Sequence, residues 1–136
     1  MSRTRIQPST DQEQSLSHED LRKAAICWLK LRKYDYRNQI PIGGNCTILT
    51  SEIVSNASDN PDAIGWNMGH SVLVECKASR ADYHRDQKKP QRQVGTGMGE
   101  HRYYFTPKGL LSPEEIPEGW GLVEYENGKA SITIHA

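Results

Sequence analysis

Cysteine is scarce in this 136-residue sequence, and long apolar runs are missing. The three cysteines, Cys27, Cys46 and Cys76, are odd in number and form no CxxC pair. That pattern excludes a disulfide framework and a structural zinc site as the basis of the fold. Cys27 and Cys76 lie in apolar stretches, so we expect both side chains to be buried as small hydrophobic groups.

The lack of a long apolar run also bears on location. No stretch approaches the ~18 apolar residues of a transmembrane helix, and the N-terminus lacks the apolar centre of a signal peptide. We therefore expect a cytoplasmic protein without membrane contact.

The formal net charge is zero, because 17 basic residues balance 17 acidic ones. This balance argues against a surface that is basic throughout, but it leaves room for a local basic groove. The length suits one domain with one core. Residues 1–16 are polar and aperiodic, so we expect a flexible N-terminal tail followed by a single domain over residues 17–136.

Periodicity and turn residues divide the chain into alternating helices and strands. Ser17 is a candidate N-cap for a helix over about 18–35, with Asp20 in the capping-box position. The pattern then predicts a loop about residues 40–44, a β-rich segment over 46–54, a hairpin with strands 63–66 and 71–77, a helix capped by Ser79 to about residue 89, a strand over 102–106, and a closing hairpin about Asn127–Gly128. We expect an α/β fold with a central mixed β-sheet flanked by helices, as an α-β-β-β-α-β core plus a C-terminal β-hairpin.

Two carboxylates and a lysine meet at the open end of the first predicted hairpin. With the turn centred on Met68–Gly69, Asp62 falls directly opposite Glu75, with Cβ atoms roughly 4.5–5.5 Å apart. Like charges so placed repel, and a divalent cation between them removes the conflict. Lys77 projects from the same face as Glu75, where it can orient a water, polarise it or stabilise developing phosphate charge. The Cys76 backbone carbonyl is also available, and oxygen ligands without histidine suit Mg²⁺ or Mn²⁺.

An ordinary hairpin that ends in solvated charges is the alternative explanation. The apolar run Val72–Val74 delivers Glu75 and Lys77 at its end. Strand ends that present charge beside a buried sheet are where active sites gather, which favours a built site.

In this helix–strand–hairpin–helix setting, Asp62, Glu75 and Lys77 resemble the PD-(D/E)xK nuclease superfamily, whose fold is restriction-endonuclease-like. The likeness runs through residues 61–66 and 74–80, and the segments 102–105, 111–115 and 118–122 are similar to small phage and bacterial members, including the MmcB-like DNA-repair group. The resemblance implies that Asp62 and Glu75 bind Mg²⁺ or Mn²⁺ and that Lys77 assists the attacking water. It further implies hydrolysis of phosphodiester bonds in DNA, in repair, recombination or phage DNA processing. A homodimer is expected by analogy alone.

Members of that superfamily often add an acidic residue from a preceding helix or strand. Glu52, in the strand expected beside the hairpin, is the candidate fourth catalytic residue. Glu19 on the first helix is the second choice, and a solvated strand residue is the alternative for Glu52.

The segment after the hairpin is basic. Between residues 77 and 102, seven basic residues stand against three acidic ones. DNA phosphates need such a patch, and a solvated helix face is the alternative. The candidate nucleic-acid-binding residues are Arg80, Arg85, Lys88, Lys89 and Arg92.

Two other functions fit the same sequence. One is a non-catalytic nucleic-acid- or protein-binding module that retains the nuclease fold. The other is a structural or interaction protein in which these charges are solvated. Metal binding and DNA cleavage distinguish the three.

Overall fold

The computed structural model describes residues 16–51, 62–67, 69–88 and 99–136. The expected tail, apart from Leu16, and the candidate residues Glu52, Lys89 and Arg92 lie outside these ranges. In chain order the elements are α1 (His18–Lys30), β1 (Tyr34–Asp35), β2 (Ile40–Pro41), β3 (Ile48–Ser51), β4 (Ala63–Asn67), β5 (His70–Cys76), α2 (Arg80–Asp86), β6 (His101–Pro107), a 3-10 turn (Pro113–Glu115), β7 (Trp120–Glu126) and β8 (Lys129–Ile134). No helix in these ranges is long and apolar enough to cross a bilayer.

Six strands form one mixed sheet in the order β3-β4-β5-β6-β7-β8. The pairs β3–β4, β4–β5 and β7–β8 are antiparallel, whereas β5–β6 and β6–β7 are parallel. One apolar cluster joins α1 to one face of the sheet, and a second joins α2 to the other. The expected α/β class with a central mixed sheet is therefore confirmed. β1 and β2 form a separate two-stranded ladder, which the sequence did not predict.

The predicted capping box fixes the start of α1. Ser17 Oγ accepts the Asp20 N–H at 3.0 Å, and the Asp20 carboxylate accepts the Ser17 N–H at 3.4 Å. Apolar residues then recur at helical spacing and face the sheet, where they meet Val74 and Phe105. Leu16, just before the cap, is partly buried against the same cluster. The buried residues of α1 are Leu21, Ala25, Trp28 and Leu29.

α1 ends earlier than predicted, at Lys30 rather than near residue 35. The segment that follows bonds back to the helix end: the Gly44 N–H donates to the Trp28 carbonyl at 2.9 Å, and the Cys46 N–H donates to the Leu29 carbonyl at 2.8 Å. These bonds satisfy carbonyls that a helix end leaves without intrahelical partners. Only a residue without a side chain fits there, because a Cβ added at Gly44 would lie 2.6 Å from Leu29 Cα.

Both predicted hairpins are confirmed. β4 and β5 pair with Asn67 opposite His70, which is the register expected from a turn centred on residues 68–69. In the closing hairpin, Asn127 and Gly128 adopt φ values of 52° and 77°. Two successive positive φ values are the signature of the type I′ turn that Asn–Gly favours.

Ser79 caps α2 as predicted, accepting the Asp82 N–H at 3.2 Å. The helix ends at Asp86, before the predicted residue 89. Tyr83 is the buried anchor of α2 on the sheet, and its ring meets that of Tyr104 at 5.0 Å. The buried cluster on this face comprises Ile64, Leu73, Tyr83, Tyr104, Leu111, Trp120 and Leu122.

The prediction that Cys27 is buried is wrong, whereas the prediction for Cys76 is confirmed. Cys27 lies in an apolar stretch but is exposed, because a turn of about 100° per residue places this position away from the face formed by Leu21 and Ala25. Cys46 is buried, and burial raises the pKa of its thiol to about 11.

We expect Gly44→Ala to lower the free energy of unfolding by about 1–3 kcal/mol, because the added Cβ forces the 43–46 segment away from α1. Urea denaturation measures this as a lower midpoint with an unchanged slope. The exposed change Ser131→Ala on β8 is the control and should stay within about 0.5 kcal/mol of wild type. Wild-type stability of Gly44→Ala would contradict the described contact.

Candidate functional site

The end of the β4–β5 hairpin brings Asp62, Glu75 and Lys77 to one cleft of about 430 Å³. Ala63 pairs with Val74, so continuing the antiparallel register by one residue sets Asp62 opposite Glu75. Glu75 and Lys77 share a face because strand side chains alternate. The other residues lining the cleft are His18, Cys76, Asp82, Arg85 and Asp86.

Asp62 joins the start of α1 to the end of β5. Its Oδ2 accepts the Cys76 N–H at 2.8 Å, and its Oδ1 lies 3.0 Å from His18 Nε2. The N–H and C=O of one strand residue point to the same side of the strand. The Cys76 carbonyl therefore also points toward Asp62.

Lys77 lies between two buried carboxylates. Its Nζ is 3.2 Å from Asp86 Oδ1 and 4.0 Å from Glu75 Oε2. Asp86 is 1% exposed and Glu75 is 3% exposed. The Tyr104 hydroxyl donates to Asp86 Oδ2 at 2.7 Å and accepts the Gln87 side-chain amide at 2.7 Å. Buried ion pairs are favourable only when further hydrogen bonds satisfy their remaining atoms, and this chain of bonds holds the ammonium in one place.

Asp86 and His18 also line this cleft, and the sequence pattern did not predict either of them. Asp86 was counted only as an acidic residue within a basic segment. Its signal was present, because Asp86 follows Tyr83 by three positions and both lie on the buried face of α2. For His18 there was no such signal, since its partner Asp62 is distant along the chain.

Cys76 offers its backbone to the cleft and its thiol to the opposite face. The side chain packs in the α1 cluster beside Val74 and Phe105. Burial raises the pKa of the Cys76 thiol well above its ordinary value, and the charges of Asp62 and Glu75 raise it further. The thiol stays protonated at neutral pH, and only a thiolate is an effective nucleophile or metal ligand.

The donor chemistry of the cleft fits a hard divalent cation. Within the described residues, no group of three or more His, Cys, Asp and Glu side chains is arranged to hold a metal ion. Mg²⁺ in proteins is bound through one or two carboxylates and keeps several waters. Asp62 and Glu75, with the Cys76 carbonyl, supply a donor set of that kind.

Of the two candidates for a fourth acidic residue, only Glu19 falls within the described residues. Glu52 lies outside the described residues. Glu19 is exposed on α1, where its carboxylate accepts the Arg22 Nε–H at 3.1 Å. Glu19 is not among the residues that line the cleft.

Arg80, a predicted DNA contact, makes a structural pair. Its guanidinium donates to both carboxylate oxygens of Glu115, at 2.9 and 2.7 Å, and to the Leu110 carbonyl at 3.1 Å. The Tyr83 hydroxyl donates to the Glu115 carbonyl. Together these bonds fasten the first turn of α2 to the 3-10 turn.

Arg85 and Lys88 are exposed in the structure, as Arg80 is. Arg85 lines the cleft and pairs with Asp82 one helical turn earlier. Lys89 and Arg92 lie outside the described residues. Among the predicted DNA contacts that the structure describes, Arg85 is therefore the one that lines the cleft.

Arg102 is one of the seven basic residues between residues 77 and 102, but it adds no positive charge to the protein surface. It is buried, with its guanidinium carbon 4.8 Å from the centre of the Trp120 ring. This stacking is a cation–π contact within the α2 side of the sheet.

No protein-family model matches this chain, and no curated protein matches it. A solved structure of a protein of unknown function from Silicibacter pomeroyi is similar, with 23% sequence identity over 65% of this chain and a TM-score of 0.49. The chain spans 58% of the length of that protein. A likeness of this size identifies neither a family nor an activity.

We expect Glu115→Gln to destabilise the protein at neutral pH and to lose this effect in acid. Hydrogen bonds from Arg80, the largest cause, and from Ser112 lower the pKa of Glu115 from 4.5 to about 2. A lowered carboxylate pKa stabilises the fold fully above pH 4.5, and this contribution disappears as the pH falls through about 2. Thermal unfolding of both proteins across this range measures the difference.

Glu114→Gln is the matched control, because Glu114 is exposed and adjacent. It should leave the melting temperature unchanged at neutral pH. A deficit of Glu115→Gln that persists unchanged to pH 2 would rule out the Arg80 pair as its source.

Proposed function

We propose that this protein is a nuclease of the PD-(D/E)xK type with a restriction-endonuclease-like fold. It hydrolyses phosphodiester bonds in DNA with Mg²⁺ or Mn²⁺, in DNA repair, recombination or phage DNA processing. The convergence of Asp62, Glu75 and Lys77 on one cleft is the observation that carries this proposal.

Asp62 and Glu75, with the Cys76 carbonyl, are the groups proposed to hold the metal. A bound divalent ion polarises a phosphate oxygen and offsets the negative charge of the transition state. The register sets Asp62 and Glu75 opposite one another, and repulsion between two carboxylates so placed favours a cation between them. Each carboxylate also has a basic side chain beside it, His18 at Asp62 and Lys77 at Glu75.

Lys77 is the group proposed to position the attacking water. An ammonium has three N–H donors, and Asp86 engages one of them at 3.2 Å. Glu75 Oε2 lies 4.0 Å from the same nitrogen, and a donor that engages neither carboxylate is proposed to contact a water or a phosphate oxygen. Asp86 acts as a positioning residue, itself fixed by the Tyr104 hydroxyl.

Substrate DNA would approach along the exposed side of α2. Arg85 at the cleft and Lys88 beyond it supply positive charge for phosphates, and such contacts make binding salt-dependent. Lys89 and Arg92 extend this stretch in the sequence. We propose activity directed by DNA structure, ends or a partner rather than by base sequence, in a cytoplasmic protein that is a homodimer by analogy.

A non-catalytic nucleic-acid- or protein-binding module that retains the fold is the second candidate. The observation in its favour is that His18 already faces Asp62 and Asp86 already pairs with Lys77. The charges of the cleft are thus partly balanced without a metal. Metal binding and cleavage distinguish the two functions.

Calorimetric titration with Mn²⁺ tests the metal site. We expect binding by the wild type and an affinity lower by on the order of 10- to 100-fold in Asp62→Asn, which keeps the shape of the side chain but removes a charged ligand. Asp82→Asn makes the same change at the rim of the same cleft and should bind as the wild type does. Equal heats from wild type and Asp62→Asn would refute the site.

Nicking of supercoiled DNA in Mn²⁺ tests catalysis. We expect Lys77→Ala to abolish nicking and Asp86→Asn to lower kcat on the order of 100-fold with little change in KM, because a misplaced ammonium orients water poorly. Thermal unfolding identifies variants that fail to fold. A wild type that does not nick, or a Lys77→Ala variant that nicks equally well, favours the binding module.

A further inference from the structure

A second cavity lies at the other end of β5 from the cleft. It has a volume of about 590 Å³, within the roughly 300–1,000 Å³ typical of small-ligand sites. His70 lines it at the start of β5, and Glu75 lies about 17 Å further along that strand. We call it the aromatic pocket. Its ring-bearing residues include Trp28, Tyr34, Tyr36, His70, His101 and Tyr103.

Two tyrosine rings stand exposed at this pocket. Tyr34 is 37% exposed and Tyr36 is 78% exposed, with ring centroids 5.0 Å apart. His70 and His101 meet edge to face at 5.4 Å in the same lining. Exposed aromatic rings give unpaired bases a stacking surface, and imidazole nitrogens can donate to or accept from base edges.

The segment that carries the tyrosines is basic. Its single acid, Asp35, is engaged by the turn that follows it: the carboxylate accepts the Arg37 N–H at 3.0 Å and the Asn38 N–H at 3.2 Å. The cations of residues 30–37 enter none of the ion pairs found among the described residues. Basic side chains interleaved with aromatic ones match the charge and shape of a single nucleic-acid strand. These cations are Lys30, Arg32, Lys33 and Arg37.

We propose that the aromatic pocket binds an unpaired base of a single-stranded nucleic acid. Tyr36 stacks on the base, and Lys33 and Arg37 contact the flanking phosphates. A duplex hides the faces of its bases, so the pocket selects single strands. The choice of nucleic acid as ligand rests on the function proposed above, but this site is separate from the cleft and needs no metal.

Fluorescence anisotropy with a labelled oligothymidylate, measured in EDTA, tests this inference. Tyr36→Ala should weaken binding about 5- to 150-fold, the range that stacking of one base corresponds to. Tyr36→Phe keeps the ring and should bind as the wild type does. Because Tyr36 is 78% exposed, neither change should alter the melting temperature.

Charge is tested in the same assay. Arg37→Gln should reduce the salt dependence of log Kd by about one, whereas Lys108→Gln on the far side of the sheet should not. Unlabelled duplex DNA should compete poorly. Equal affinity of Tyr36→Ala and wild type, or equal competition by duplex and single strand, would overturn the proposal.

The proposal for the cleft and the proposal for the pocket can be refuted independently of each other. Mn²⁺ binding and nicking report on the cleft, whereas oligothymidylate binding in EDTA and its dependence on Tyr36 report on the pocket. A wild type that binds through Tyr36 but never nicks DNA supports the pocket and rejects the nuclease. Nicking without a Tyr36 effect does the reverse.

Discussion

The antiparallel register of β4 and β5 is the constraint on which the candidate site depends. It sets Asp62 across from Glu75 and, by alternation, sends Glu75 and Lys77 to the α2 side while Cys76 faces α1. A slip by one residue would reverse every side chain of the strand and bury the wrong set. The apolar residues of β5 prevent this slip, because both faces of the strand are packed against a helix-bearing layer. The same strand register therefore determines both the packing of the core and the geometry of the candidate site.

Charge balance is the second organising feature. Four carboxylates line the cleft, those of Asp62, Glu75, Asp82 and Asp86, and two of them, Glu75 and Asp86, are almost fully removed from water. Lys77 sits between the buried pair, and His18 faces Asp62 at the more open side. Loss of one member of such a group leaves a buried charge without compensation, which costs far more than loss of an exposed pair. The Tyr104 hydroxyl extends the arrangement into the core, so the site is part of the packed interior rather than a surface addition.

Local signals made much of this predictable. Ser17 predicted the start of α1, and Asn127–Gly128 predicted the closing hairpin, because helix caps and tight turns are encoded within about four residues. Counting outward from the first turn placed Asp62 correctly. The predictions that failed depend on long-range contacts. The end of α1 was predicted too late, because the backbone N–H groups of Gly44 and Cys46 bond to the last carbonyls of the helix, a contact that no local sequence pattern contains. The burial of Asp86 was not predicted for a related reason. A charged residue on a helix is ordinarily exposed to solvent, and Asp86 is buried because α2 packs on the sheet beside Lys77.

α2 is held at both ends by ion pairs, Arg80 with Glu115 at its start and Asp86 with Lys77 at its finish. With seven residues it is a stiff rod of about 10 Å between a surface turn and a lysine of the cleft. A change in the turn therefore reaches that lysine by displacing the rod, without any contact with the cleft itself. Substitutions in residues 110–115 would then alter the placement of Lys77 while Asp62, Glu75 and Lys77 themselves stay the same.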